Sequence, residues 1–296
     1  MLQAGDRVRH KRLPEWGLGQ VVETRPGYVT VFFVEAGRRQ FAANTPELEP
    51  AGGDEAHPLL DNLAMGPATG TKYLSLEQAT AKFLERFPRG FEDPAFVTGE
   101  REPKEAAHRL ALELLDKAEV AKLLEAGDTT GIGERARKLV NATNLVFPAE
   151  KAAFAEAVRD PDRCAALVPA LVDLVHGEGE FRPRFEAWCD ALKAAGAAKW
   201  PLATYFGFLY LPDSQVFVKP SVSQAAAQVC AFDLKYTPEP NWVTYAAALR
   251  LADYLREALA GMKPRDLIDV QSFMWVVSRR ESKPPARARK AAAGTD

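Results

Sequence analysis

Gly5-Asp6-Arg7-Val8-Arg9-His10, then Pro14-Glu15-Trp16-Gly17-Leu18-Gly19-Gln20-Val21-Val22, open the 296-residue chain with short runs punctuated by glycine and proline. Strands are expected at 7–10, 19–23, 28–34 and 38–41, with a short closing strand near Leu48. Pro26-Gly27 and Ala36-Gly37 fall between the later runs, where glycine supplies the positive φ of a tight turn. Val29, Val31 and Phe33 alternate with Thr30, Phe32 and Val34, so at least one face of that strand is apolar.

Four or five strands within about fifty residues suit an SH3-like barrel. The opening motif also resembles a family of short bacterial domains of unknown function that pair G-D-x-V-R-H with P-E-W-G-x-G-x-V and a V-x-F…A-G strand pair. That family is similar to the Tudor-like modules of CarD-type transcription regulators and of UvrD-type helicase C-termini. The resemblance covers the first 50 residues and implies docking on RNA polymerase, on another protein, or on nucleic acid.

Charge is unevenly spread. Residues 1–40 carry seven Lys/Arg against four Asp/Glu, and residues 279–296 carry six against two, whereas the whole chain has a net charge of −2. Attraction to phosphates is therefore expected at the two ends of an otherwise acidic chain. No apolar run reaches the length of a membrane span and the N-terminus has no signal-like apolar stretch, so the expected location is cytoplasmic. Three widely spaced cysteines in apolar surroundings predict buried thiols, neither disulfides nor zinc ligands.

Past residue 50 the pattern changes. Residues 51–74 cluster Gly, Pro and Asp and read as a linker. Ser75 with Gln78 spells a capping box, followed by Leu76, Ala79, Phe83 and Phe87 at helical spacing. Pro103 opens a helix expected to run to Gly127. Another begins at Asp160-Pro161, where Pro169 should kink or divide it. A third covers 180–195 and stops at Gly196. Tyr205-Phe206-Gly207-Phe208-Leu209-Tyr210-Leu211 and Val216-Phe217-Val218 flank Pro212-Asp213, which predicts a hairpin at 204–218. Helices resume at Ser221, with Gln224 as a second capping box, and continue over 241–261 and 266–278. The expected fold is α+β and multidomain: an SH3-like, Tudor-like β-barrel over 1–50, a linker over 51–74, a mainly α-helical domain over 75–280 with one β-hairpin, and a disordered basic tail over 281–296.

Two candidate sites emerge. Arg7, Arg9, His10, Lys11, Arg12, Arg38 and Arg39 are placed to line one rim of a small barrel beside Trp16, whose ring either anchors a partner or closes the barrel core. Lys219, Asp266, Asp269 and Gln271 form the alternative site. There the two aspartates either cap their helix or act as paired carboxylates for a metal. Gly127-Asp128-Thr129-Thr130-Gly131 precedes a helix but lacks the Gly-Lys-Ser/Thr of a phosphate-binding loop and reads as a turn. The four histidines are scattered, and Glu150-Lys151 lies in an alanine-rich helix. The expected function is that of a non-enzymatic binding protein, with the barrel docking on RNA polymerase or nucleic acid and the helical domain engaging a second partner. No cofactor or metal is expected. A nucleic-acid-processing or DNA-defence component and a structural adaptor are the alternatives.

Overall fold

A computed structural model describes residues 2–52, 55–64 and 73–279. The N-terminal strands form where the residue pattern places them: β1 (Arg7–His10), β2 (Gly19–Arg25), β3 (Tyr28–Phe33), β4 (Gly37–Ala42) and β5 (Leu48–Pro50). They make one antiparallel sheet in the order β4-β3-β2-β1-β5. The sheet is open, which corrects the expected closed barrel: among the described residues no pairing joins β4 to β5. β5 has only three residues and ends on Pro50, which has no N–H to extend a ladder.

Each face of the sheet is buried against something different. Val8, Val21, Val29, Val31, Phe33 and Leu48 form a small core of their own. Leu18, Phe32 and Val34 belong instead to the large core of the helical body. A register shift between Val21 and Glu23 frees Val22 from the ladder, and Val22 packs on that large core while Val21 stays in the small one. Tyr73 fastens the contact. Its ring meets Phe32 edge-on with centroids 4.8 Å apart, and its hydroxyl donates to the Val34 carbonyl. Gly37, at φ +68°, gives this ring room, since a Cβ there would lie 3.0 Å from Tyr73 Cδ1. Gly19 is tighter still, with Phe33 side-chain carbons 2.7 Å from where its Cβ would be. Gly19→Ala is expected to destabilise the protein by about 1–3 kcal/mol through overpacking. Chemical denaturation should read a loss in that range, and an unchanged midpoint would show that the β2–β3 contact is looser than drawn.

The rest is helical. α1 (Pro58–Asp61) lies in the expected linker, where Leu59 and Leu60 are buried in the large core and Leu63 bridges to Phe232. These leucines give the described part of 51–64 a packed course. α2 (Leu76–Arg86) starts with the expected capping box, Ser75 and Gln78 exchanging hydrogen bonds at 3.2 and 3.3 Å. Next come α3 (Pro94–Phe96), a wide π turn at Val97–Arg101, and α4 (Glu102–Leu114). Pro103 cannot donate to a carbonyl four residues back, and the chain widens one turn ahead of it. The helix expected to reach Gly127 breaks instead at Leu115, because Asp116 caps a new one, α5 (Lys117–Glu125), through the N–H groups of Ala118 and Glu119.

Then follow α6 (Thr129–Asn141), capped by Asp128, α7 (Pro148–Arg159), α8 (Pro161–His176) and α9 (Phe181–Ala194). Pro169 does not divide α8. The expected hairpin at 204–218 is absent: α10 (Trp200–Tyr210) occupies its first half. Every residue of α10 but the last is buried, so no polar face betrays a helical period, and the aromatic run imitates a strand. Residues 216–218 have no regular secondary structure and pair with no strand among the described residues; Val218 N–H donates to Thr204 Oγ1 at 2.9 Å. α11 (Pro220–Val229) begins one residue before the expected Ser221 and has no side-chain cap. α12 (Trp242–Ala258), capped by Asn241, and α13 (Leu267–Ser278), capped by Asp266, complete the described chain. The tail at 281–296 lies outside the described residues. No described helix is long and apolar enough to cross a membrane.

Candidate functional site: a cationic and aromatic cleft

The basic residues of the N-terminal sheet do not gather into one patch. Arg7 bonds Gln20 and Asp61, and Arg9 pairs with Glu55, which directs both toward the 55–61 segment. Arg12 pairs with Glu47, and Arg38 donates to the Ala64 carbonyl at 3.3 Å. His10 is buried beneath Trp16, ring centroids 4.8 Å apart. Trp16 is half-buried over the small core, 5.2 Å from the Phe33 ring, with the Arg39 guanidinium 5.3 Å from its own ring. It packs against that core as a partly buried side chain. Lys11 and Arg39 are exposed.

The alternative site also separates. Asp266 accepts from Ile268 N–H at 2.9 Å, capping α13, and takes both terminal nitrogens of Arg101 at 2.5 and 2.8 Å. Asp269, fully buried, is held by Arg265 through its backbone N–H, Nε and Nη2, and by Arg101 at 3.4 Å. Both carboxylates are thus committed to arginines. Among the described residues no group of three or more His, Cys, Asp or Glu is arranged to hold a metal ion.

Lys219 and Gln271 face elsewhere, into a cleft of about 940 Å³ in the helical body. One wall is a stripe on α13 and its end: Gln271, Trp275 and Arg279, four residues apart and therefore stacked along one side of the helix. The start of α11 brings Lys219. Its Nζ lies 4.4 Å from the Phe147 ring centroid and 5.9 Å from that of Trp275, and the Arg279 guanidinium lies 5.2 Å from the same Trp275 ring. Glu100 and Lys104, at the π turn and first turn of α4, form the opposite rim and pair with each other at 3.1 Å.

The loop 141–148 supplies the remaining wall, including Phe147, which is 50% exposed. Two fastenings hold this loop. Lys151 donates to the carbonyls of Asn141 and Thr143. From below, the buried Tyr205 donates to the Leu139 carbonyl at 2.7 Å and contacts Thr143 Oγ1 at 2.9 Å. Burial pushes the Tyr205 hydroxyl above the usual range, which keeps it a neutral donor.

Two residues of the cleft stand out by their contacts among the described residues. Gln271 is only 5% exposed, and its fully buried Oε1 accepts no hydrogen bond among the described residues. Lys219 meets two aromatic faces and no carboxylate among the described residues. The residue pattern singles out both of them but misses Trp275, Arg279, Phe147, Lys104 and Lys151. The polar, aromatic and basic residues four apart at 271, 275 and 279, along α13 and just past its end, are the signal that points to two of them. The cysteines are buried and free, as expected, and burial pushes the Cys189 and Cys230 thiols up to about 12.

Residues 2–50 match the model of a family described as "Protein of unknown function (DUF3553)". The match is confined to the N-terminal sheet and leaves the helical body unassigned. No curated protein and no solved structure matches the chain.

Proposed function

We propose that this chain is a binding protein whose helical body holds a phosphate-bearing ligand in the cleft between α11, α13, the start of α4 and the loop 141–148. The observation that carries this reading is Lys219, lodged between Phe147 and Trp275 beside Arg279 with no acidic partner among the described residues. α11 begins at that same lysine without a side-chain cap, so the positive end of its dipole adds to the lysine charge. Lys151, Lys104 and Arg279 raise the potential further, and Glu100 is the single acidic residue on the lining. A concave, partly apolar surface with a few converging polar groups is the usual form of a ligand site.

In a calorimetric titration of the full chain, pyrophosphate is expected to bind, and Lys219→Met to weaken that binding about tenfold or more with an unchanged melting temperature. Equal affinity in the two proteins would overturn the reading.

A second contact belongs to the N-terminal sheet. Arg39 is exposed beside Trp16, on a unit similar to a short domain of unknown function, and this favours a docking role for that rim. The partner proposed for it is RNA polymerase, another protein, or nucleic acid.

A further inference from the structure

We propose that the phosphate held in the cleft belongs to a single-stranded nucleic acid, whose backbone runs from Lys219 past Arg279 onto the basic residues that follow in the chain. This rests on the phosphate reading and adds the class of ligand.

The place where the chain leaves the cleft carries the argument. Arg279 lines the cleft, and Lys82 holds the end of α13 there, its Nζ donating to the carbonyls of Val277 at 2.9 Å and Arg279 at 2.6 Å. The residues after Arg279 therefore start from a fixed point on the cleft rim. Among them Lys283, Arg287, Arg289 and Lys290 lie in a stretch, 282–290, that contains no acidic residue. Such a stretch is repelled by Lys219 and Arg279, so it is no occupant of the cleft; it carries the positive surface outward from it. An extended chain spans at most about 3.6 Å per residue, so Lys290 can contact a ligand up to about 40 Å from Arg279. A small phosphate compound uses only the cleft. A strand of about twelve nucleotides covers the whole reach, even at the ~3.4 Å per phosphate of a stacked helix. Tethering to the rim also makes each added contact intramolecular once one phosphate sits at Lys219.

The lining favours nucleic acid over a purely inorganic polyanion. Ala142, Phe147 and Pro148 expose apolar surface in the same cleft, and Lys219 rests on the Phe147 ring. Sugars and bases between phosphates can cover such surface, whereas inorganic polyphosphate has nothing apolar to set against it. In a duplex the bases are turned inward, so an unpaired strand is the form that fits.

The test titrates the full chain, across a salt series, with an oligothymidylate of about twelve nucleotides, a DNA duplex of the same length, an inorganic polyphosphate of matched charge, and pyrophosphate. Oligothymidylate is expected to bind at least about tenfold more tightly than each of the others. A variant combining Lys283→Gln, Arg287→Gln, Arg289→Gln and Lys290→Gln should weaken oligothymidylate about tenfold or more. It should also flatten the slope of log affinity against log salt by about 2–3, at about 0.7 for each of four phosphate contacts. Its pyrophosphate affinity and melting temperature should stay as they are, while Lys219→Met should weaken both ligands. Oligothymidylate no tighter than pyrophosphate, an unchanged salt slope in the combined variant, or equal binding of duplex or polyphosphate would each overturn the assignment and leave the phosphate reading standing. Oligothymidylate affinity that survives Lys219→Met would also overturn it, since the basic stretch would then bind alone. Failure of oligothymidylate and pyrophosphate alike would remove both readings.

Discussion

Replacing Arg101 by methionine is expected to cost about 3–5 kcal/mol of folding stability, the usual result of stranding a buried charge by removing its partner. The Arg101 side chain is only 8% exposed and makes a two-pronged contact with Asp266 while its Nη1 also reaches Asp269. Without the guanidinium, the Asp266 carboxylate retains only the N–H groups of its own helix start. Asp269 retains Arg265, whose side chain is far more open to solvent. The same residue ties the π turn, which carries Glu100 to the cleft, to the helix that carries Gln271 and Trp275. Urea denaturation of Arg101→Met should therefore show a large fall in midpoint, and adding Asp266→Asn should recover part of it, because an amide keeps the cap without a buried charge. A loss below about 1 kcal/mol, the range of exposed ion pairs, would show that these groups are solvated.

Phe83→Ala is expected to be as damaging, at about 3–5 kcal/mol, because it empties the centre of a phenylalanine cluster. Phe83 is fully buried, with ring centroids 5.3 Å from Phe87, 5.1 Å from Phe91, 5.7 Å from Phe96 and 5.3 Å from Phe273. Four of these rings come from residues 83–96 and the fifth from α13, so the cluster fastens the first helices of the body to the last. Thermal denaturation of Phe83→Ala and Phe83→Leu gives the comparison. Leucine should lose clearly less than alanine, since it refills most of the volume, and equal losses would indicate that the ring contacts rather than the cavity set the cost.

How far the fold is legible follows from where its signals are local. Ser75 with Gln78, Asn241, Asp266 and the glycine at 196 mark helix ends because each acts on backbone groups within four residues. The strands of residues 7–50 are legible for the same reason: turns and alternation are short-range properties. The packing of Phe32 and Val34 on Tyr73 and the helical core is not, since it joins residues far apart in the chain. α10 is illegible as a helix because burial on all sides removes the polar half of its period. The π turn stems from Pro103, a residue that reads equally well as an ordinary helix start.

The site was half legible. Lys219 and Gln271 stand out as polar residues at the edges of apolar runs, but grouping them with Asp266 and Asp269 fails on helix geometry. Two residues along a helix turn the side chain by about 200°, so Gln271 points away from Asp269. Residues at 275 and 279 return to the side of Gln271, and they line the cleft with it. Phe147 and Lys104 come from distant parts of the chain, and only the tertiary fold brings them there.

The most direct measurement is a crystal structure of the full chain grown with pyrophosphate. The expected result is the anion in the cleft, within hydrogen-bond distance of Lys219 Nζ and close to Arg279. Pyrophosphate seated instead on Lys11, Arg12 or Arg39 of the N-terminal sheet, with the cleft holding only water, would contradict a phosphate-binding helical body.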